Sequence, residues 1–196
     1  MSETVALVVG LGNPGDAYSG TRHNAGAVFI EHIVRRCGGA LAHESRFFGR
    51  TARITMGGHD LRLLIPETFM NRSGQAVGAL AGFFKFQPPQ LLIAHDELDL
   101  APGVARFKRG GGHGGHNGLR DIARALGNST DFHRLRIGIG HPGSADRVTP
   151  YVLSRAPASE CQLTNAAIEA AADALPLLLD GDLAKAMTQL HSFSAS

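Results

Sequence analysis

The sequence predicts an α/β fold, a single domain with a mixed β-sheet flanked by helices. Three observations carry this. Short apolar runs rich in β-branched residues alternate along the chain with stretches whose apolar residues recur at helical spacing. One pair of apolar runs is separated only by Gly57-Gly58, a hairpin signal that adds an antiparallel pair to otherwise alternating elements. The chain has 196 residues, 43% of them apolar, enough for one hydrophobic core, and no linker, repeat or low-complexity segment divides it.

The elements follow in order. Val5 to Leu11 is a continuous apolar run and reads as a buried strand. A loop with Gly12, Pro14, Gly15 and Gly20 follows it. Asn24 opens a helix in which Ile30, Ile33, Val34 and Cys37 fall on one face, and Gly38-Gly39 ends it. Thr51 to Met56 and Leu61 to Ile65 form the hairpin strands. Asn71 to Phe84 is helical, with Val77, Leu80, Ala81 and Phe84 on one face. Pro88-Pro89 break the chain before a strand over Leu91 to Ala94, and another strand is expected near Val104 to Phe107. A glycine-rich segment, Gly110 to Gly118, precedes a helix carrying Leu119, Ile122, Ala123 and Leu126. Leu135 to Ile139 is a strand, Ser144 to Thr149 reads as loop, and helices close the chain over Pro157 to Leu179 and Leu183 to Leu190.

Net charge is only +2, but it is unevenly placed. Between Ala101 and Arg155 lie nine basic residues and three acidic ones, whereas the last forty residues lean acidic. A local basic zone on a near-neutral protein suits a polyanion held at one site. The two cysteines, Cys37 and Cys161, show no CxxC or zinc spacing, which fits a reduced, intracellular protein. The N-terminal apolar run is too short for a membrane span or signal peptide, so the expected location is the cytoplasm, away from membranes.

Gly10, Gly12 and Gly15 match GxGxxG after a strand, but Pro14 and the loop-like Asp16 to Arg22 interrupt the helix that a dinucleotide site needs, and no acidic residue ends a second strand. The segment Gly110 to Gly118 lacks the Gly-Lys-Ser/Thr ending of a Walker loop. His113 and His116 sit in that segment without fixed spacing or a nearby carboxylate, so neither metal nor other cofactor is expected.

The polar residues with chemistry cluster at strand ends and helix starts: Asn13, His23, Asn71, Asp96 and Asn117. In α/β sheets such ends form the site. A His–Asp pair is the smallest general-base unit, since the imidazole takes a proton near neutral pH while the carboxylate fixes its tautomer. Asparagine amides supply donors for an oxyanion and acceptors for a peptide N–H. No serine or cysteine lies in a nucleophile elbow, which leaves water as the nucleophile. The same residues also suit plain roles: Asn24, Asn71 and Asn117 as helix N-caps, Asp96 as a turn cap.

Six segments in order resemble the bacterial peptidyl-tRNA hydrolase family: Val8 to Gly15, Thr21 to Gly26, Pro66 to Gly74, His95 to Asp99, Gly110 to Gly118 and His133 to Gly143. The resemblance runs from about Val5 to Val152 and more loosely to the end. It implies one peptidyl-tRNA hydrolase domain over residues 1–196, phosphorylase/hydrolase-like in fold, monomeric and metal-independent. The implied activity is hydrolysis of the ester joining a peptide to the 3′ end of tRNA, which recycles tRNA from aborted translation. His23 then matches the base and Asp96 its orienting carboxylate. Asn13 matches the residue that separates blocked from free aminoacyl-tRNA, and Asn71 and Asn117 match substrate-binding asparagines. Tyr18, Phe69 and Met70 match positions lining the site, and His116 a supporting residue near the peptide. Lys108 and Arg136 match contacts to the tRNA 5′ phosphate, with Arg106 and Arg109 extending the patch. Two other readings stay open at this point: an RNA-binding relative that has lost its chemistry, and an esterase or amidase of small free substrates.

Overall fold

The computed structural model describes residues 3–196, and the first two residues of the expected domain lie outside them. The strands are β1 (Leu7–Gly10), β2 (Ala42–Glu44), β3 (Gly49–Met56), β4 (His59–Pro66), β5 (Leu91–Glu97), β6 (Ala105–Arg109) and β7 (His133–Gly138). The helices are α1 (Ala25–Arg36), α2 (Ser73–Phe84), α3 (Asn117–Ala125), α4 (Val148–Val152), α5 (Ala158–Leu179) and α6 (Leu183–His191). The strands form one mixed seven-stranded sheet in the order β2-β3-β4-β1-β5-β7-β6. Parallel pairs β4·β1, β1·β5 and β5·β7 make its centre, and antiparallel pairs make both edges.

Strand alternation sorts the core into two layers. Val8, Leu63, Leu92 and Leu135 face α1, α5 and α6, which contribute Phe29, Ile33, Ile168, Leu175 and Leu190. Leu7, Val9, Leu64 and Ile93 face α2 and α3, which contribute Val77, Leu80, Leu119 and Ile122. Each such fully buried aliphatic side chain contributes about 2 kcal/mol of transfer free energy. The hairpin turns on Gly57 and Gly58, both at positive φ, as a two-residue turn of the twist-matching kind requires.

The sequence expectations hold for the type of the expected strands and helices, with five differences. Strand β1 is shorter than Val5 to Leu11, and β5 runs on to Glu97, so Asp96 is a strand residue and not a turn cap. Helix α2 starts at Ser73, after a 3-10 turn over Met70–Arg72. Strand β2 was not expected; it is an edge strand of three residues with little burial to pattern it. The segment expected as loop from Ser144 forms a 3-10 turn over Ala145–Arg147 and then α4, whose Pro150 tolerates a first turn.

Two features of the sheet position the site. Helix α1 crosses β1 with backbone almost on backbone. A Cβ on Gly26 would lie 2.1 Å from the Ala94 carbonyl oxygen, and one on Gly10 would lie 2.2 Å from the Gly26 carbonyl oxygen. Only glycine at both places lets the start of α1 reach the carboxyl end of β5. On the other side of β5, Arg134 pairs in register with Ile93 and with Lys108, and Arg136 with His95 and with Arg106. The face that α2 and α3 cover at the sheet centre therefore becomes, across β7 and β6, a basic face.

Candidate active site

Three strand ends deliver the polar groups. The loop after β1 brings Asn13, the 3-10 turn after β4 brings Met70 and Asn71, and the last turn of β5 brings Asp96. His23 comes from a 3-10 turn, Arg22–Asn24, that runs directly into α1, and His116 from the start of α3.

Asp96 is 4% exposed and accepts from two histidines. His23 Nδ1 lies 3.0 Å from both of its carboxylate oxygens, and His116 Nε2 lies 2.8 Å from Oδ1. Burial alone would raise the Asp96 pKa. The charges and hydrogen bonds of His116 and His23 outweigh it and hold the carboxyl well below the usual carboxylate range. With the carboxylate ionised, His23 must carry its proton on Nδ1. That leaves Nε2 with a lone pair, and no hydrogen bond to a protein atom engages Nε2 among the described residues.

His116 is fixed differently. It is the N-cap of α3, and its Nδ1 accepts from the amides of Gly118 and Leu119 at 3.2 and 3.3 Å. Its proton therefore sits on Nε2 and points at Asp96. His23, Asp96 and His116 are the grouping of potential metal ligands among the described residues, their ligand atoms within 4.8 Å of one another. The tautomer speaks against that use, because His116 would have to give up its cap to offer Nε2 to a cation.

Beneath this pair lies His95. Its Nδ1 donates to the Asp96 backbone carbonyl at 2.8 Å, and its ring meets that of His116 edge-on. Burial, and next the neighbouring His116, push its pKa down to about 3, so it stays neutral.

The asparagines are held by backbone. Asn24 clasps Asn13: its Oδ1 accepts from the Asn13 amide at 2.9 Å, and its Nδ2 donates to the Asn13 carbonyl at 3.0 Å. Asn13 Oδ1 in turn accepts from the Met70 amide at 2.7 Å. The side-chain carbonyl of Asn13 is thus engaged, and its NH2 group is what remains to meet a ligand. Asn24 and Asn117 are not side-chain caps, since Asn24 serves Asn13 and the cap of α3 is His116. Asn117 Oδ1 accepts from Arg120 at 3.3 Å.

One cleft of about 790 Å³ takes in Asn13, His23, Phe69, Met70, Asn71 and Asp96, and it continues past His116 and Asn117 to Lys108 and Arg136. Tyr18 does not line it; its ring packs edge-on against Phe69, 6.2 Å between centroids. The basic side of the cleft is less free than the sequence suggests. Arg136 donates from Nε to Glu97 at 2.7 Å, and Arg109 turns to the other face and forks onto Asp131. Lys108 has no such carboxylate among the described residues.

The family model for peptidyl-tRNA hydrolase matches residues 7–196. The chain belongs to the peptidyl-tRNA hydrolase family. It is 57% identical over 195 residues to the peptidyl-tRNA hydrolase of Shewanella sp. (strain MR-4), covering all of both chains. It is 58% identical over 191 residues to that of Pseudomonas putida (strain GB-1), covering 97% of this chain and 98% of that protein. The crystal structure of peptidyl-tRNA hydrolase from Acinetobacter baumannii superposes with a TM-score of 0.94 at 50% identity, over 99% of this chain and 97% of that one.

Within this family member, four residues of the site escaped the sequence reading. Asn24 was legible only as a helix start, although its neighbours His23 and Asn13 were singled out. His95 and Arg134 lie inside strands, where an apolar surround hides them. Arg134 is 5% exposed, and its Nη1 donates to the Gly112 carbonyl at 2.7 Å, which ties the glycine-rich segment to β7. Arg22 stood beside His23 with no signal of its partners, which lie more than a hundred residues away.

Proposed function

We propose that this protein hydrolyses the ester between a peptide and the 3′-terminal ribose of tRNA, with His23 as general base and water as nucleophile. The observation that carries the reading is the His23–Asp96 pair, locked at Nδ1 and open at Nε2, in a cleft lined by asparagine amides. Nε2 takes a proton from water, and the hydroxide adds to the ester carbonyl. Asp96 stabilises the imidazolium that results. The amide donors of Asn71 and Asn13 face the oxyanion as it forms. Collapse of the tetrahedral intermediate expels the ribose oxygen, which recovers the proton from His23.

The N-blocked end of the aminoacyl group lies toward Asn13, with Asn117, Phe69, Met70 and the Tyr18–Phe69 rim along the peptide and the terminal nucleotide. Lys108 and Arg136 hold phosphate on the acceptor end, contacts that give affinity and salt dependence without sequence readout. The chain works as a cytoplasmic monomer of one domain, without cofactor. No helix among the described residues is long and apolar enough to cross a membrane.

The test compares N-acetyl-aminoacyl-tRNA, free aminoacyl-tRNA and a small N-acetyl-amino-acid ester as substrates. Rapid turnover of the first alone, inhibited competitively by deacylated tRNA, is expected. Equal turnover of the small ester, insensitive to tRNA, would make this an esterase of free substrates instead.

A further inference from the structure

The turn that carries His23 is bolted to the far end of the chain through its neighbour. The Arg22 guanidinium forks onto Glu160, Nε to Oε2 at 3.1 Å and Nη2 to Oε1 at 3.3 Å. Its Nη1 donates to the Ser154 hydroxyl and to the Tyr151 carbonyl, the latter at 3.3 Å. The guanidinium carbon lies 4.1 Å from the centroid of the Tyr151 ring. The Arg22 amide donates to the Ser154 carbonyl at 3.1 Å, and Thr21 bridges to Arg155. The side chain is 9% exposed, so these partners take nearly all of it.

The other end of this network returns to the strand of Asp96. The Tyr151 hydroxyl donates to the Ile139 carbonyl, and the Ile139 amide donates to the Glu97 carbonyl at 3.0 Å. The covalent neighbour of His23 is thereby linked, through Tyr151 and Ile139, to the covalent neighbour of Asp96. None of Arg22, Tyr151, Ser154 and Glu160 lines the cleft. Whatever Arg22 does for the reaction, it does through His23.

We propose that Arg22 is a positioning residue of the catalytic pair, holding the 3-10 turn so that His23 Nδ1 meets both oxygens of Asp96. The planar fork suits this, because two parallel bonds to Glu160 fix orientation as well as distance. The charged and titratable groups that face His23 itself are Asp96 and His116. Arg22 has its charge matched by Glu160, so its effect on His23 is geometric. The proposal rests on His23 being the base.

The variants Arg22→Ala, Arg22→Lys and Glu160→Gln test it in the full chain, with circular dichroism to select temperatures at which each is folded. Hydrolysis of N-acetyl-aminoacyl-tRNA by Arg22→Ala should show kcat reduced about tenfold or more, KM within twofold, and the acid limb of the pH–rate profile moved to lower pH, as a histidine detached from its carboxylate requires. Arg22→Lys should recover part of kcat, and Glu160→Gln should lose severalfold. A downfield proton resonance of His23 Nδ1–H is expected in the wild type by NMR and should broaden or vanish in Arg22→Ala. That readout needs no substrate, so it stands even if the wild type hydrolyses nothing. Folded variants with wild-type kcat, an unmoved pH profile and an intact Nδ1–H signal would overturn the proposal. Where Arg22→Ala does not fold, the same result in Glu160→Gln would do so.

Discussion

His116 caps helix α3 with one ring nitrogen and holds Asp96 with the other, 2.8 Å away. The two jobs use opposite sides of one ring, so helix geometry sets where the hydrogen bond points. Asp96 then presents its carboxylate to His23 with one oxygen already tethered.

The two roles separate in His116→Asn. Asparagine is a strong N-cap, so the helix start is kept and the stability lost should be that of the Asp96 hydrogen bond alone, about 1.5–3 kcal/mol. Its shorter side chain stops short of Asp96, and kcat should fall about tenfold, the value of one hydrogen bond to a charged group. Urea unfolding and turnover measured on the same preparation check both. A larger stability loss with unchanged kcat would reverse the assignment.

Asp96→Asn removes the anion beside His23 but keeps its shape. The amide can present its NH2 group to Nδ1 and favour the wrong tautomer, so kcat should drop by about 10²-fold or more. The imidazolium also loses its counter-charge, which moves the acid limb of the pH–rate profile to lower pH. An unchanged profile would mean that Asp96 does not act on the base.

Burial of neutral His95 makes a prediction about stability. Its folded pKa, pushed down to about 3, lies below the value near 6.5 expected for the unfolded chain. Between these limits the unfolded state binds the extra proton, so stability falls as pH falls through that window, by about 1.4 kcal/mol per pH unit at most for one group. Asp96, whose carboxyl is also held below its ordinary range, acts in the same direction, and its contribution is lost only at lower pH, below the ordinary carboxylate value. Denaturation of wild type and His95→Gln at pH 4.5, 5.5 and 6.5 should give a shallower pH slope in the variant. Parallel slopes would show that His95 is protonated in the folded protein.

Gly26→Ala tests the close crossing of α1 over the sheet. The new methyl would sit 2.1 Å from the Ala94 carbonyl oxygen and 2.6 Å from the Leu11 amide nitrogen, both backbone atoms that cannot yield without moving β1 or β5. A loss of about 3 kcal/mol or more is expected in thermal or urea unfolding. Wild-type stability would show that the crossing has room to spare.

Much of this fold was legible because its strands are buried on both faces. Leu91 to Ala94 reads as a strand from apolar continuity, and Leu135 to Ile139 from the alternation of Leu135, Ile137 and Ile139. Strand β5 was underestimated because His95 and Asp96 break that continuity, and a carboxylate inside a sheet is paid for by two histidines that the sequence places elsewhere. Strand β2 and helix α4 left no trace, being short, with few apolar residues facing a core. At the site, His23, Asp96 and the asparagines stood out by residue type at strand ends. The locking of His116, the Asn24 clasp and the Arg22 network depend on contacts between distant segments, for which periodicity carries no signal.

The most direct test of the mechanism is release of N-acetyl-aminoacyl groups from tRNA by wild type and His23→Ala, with a chelator present. Rapid release by the wild type, and a fall of at least about 10²-fold in a variant that keeps the wild-type fold, is expected. Undiminished release by folded His23→Ala would contradict the assignment of His23 as the base.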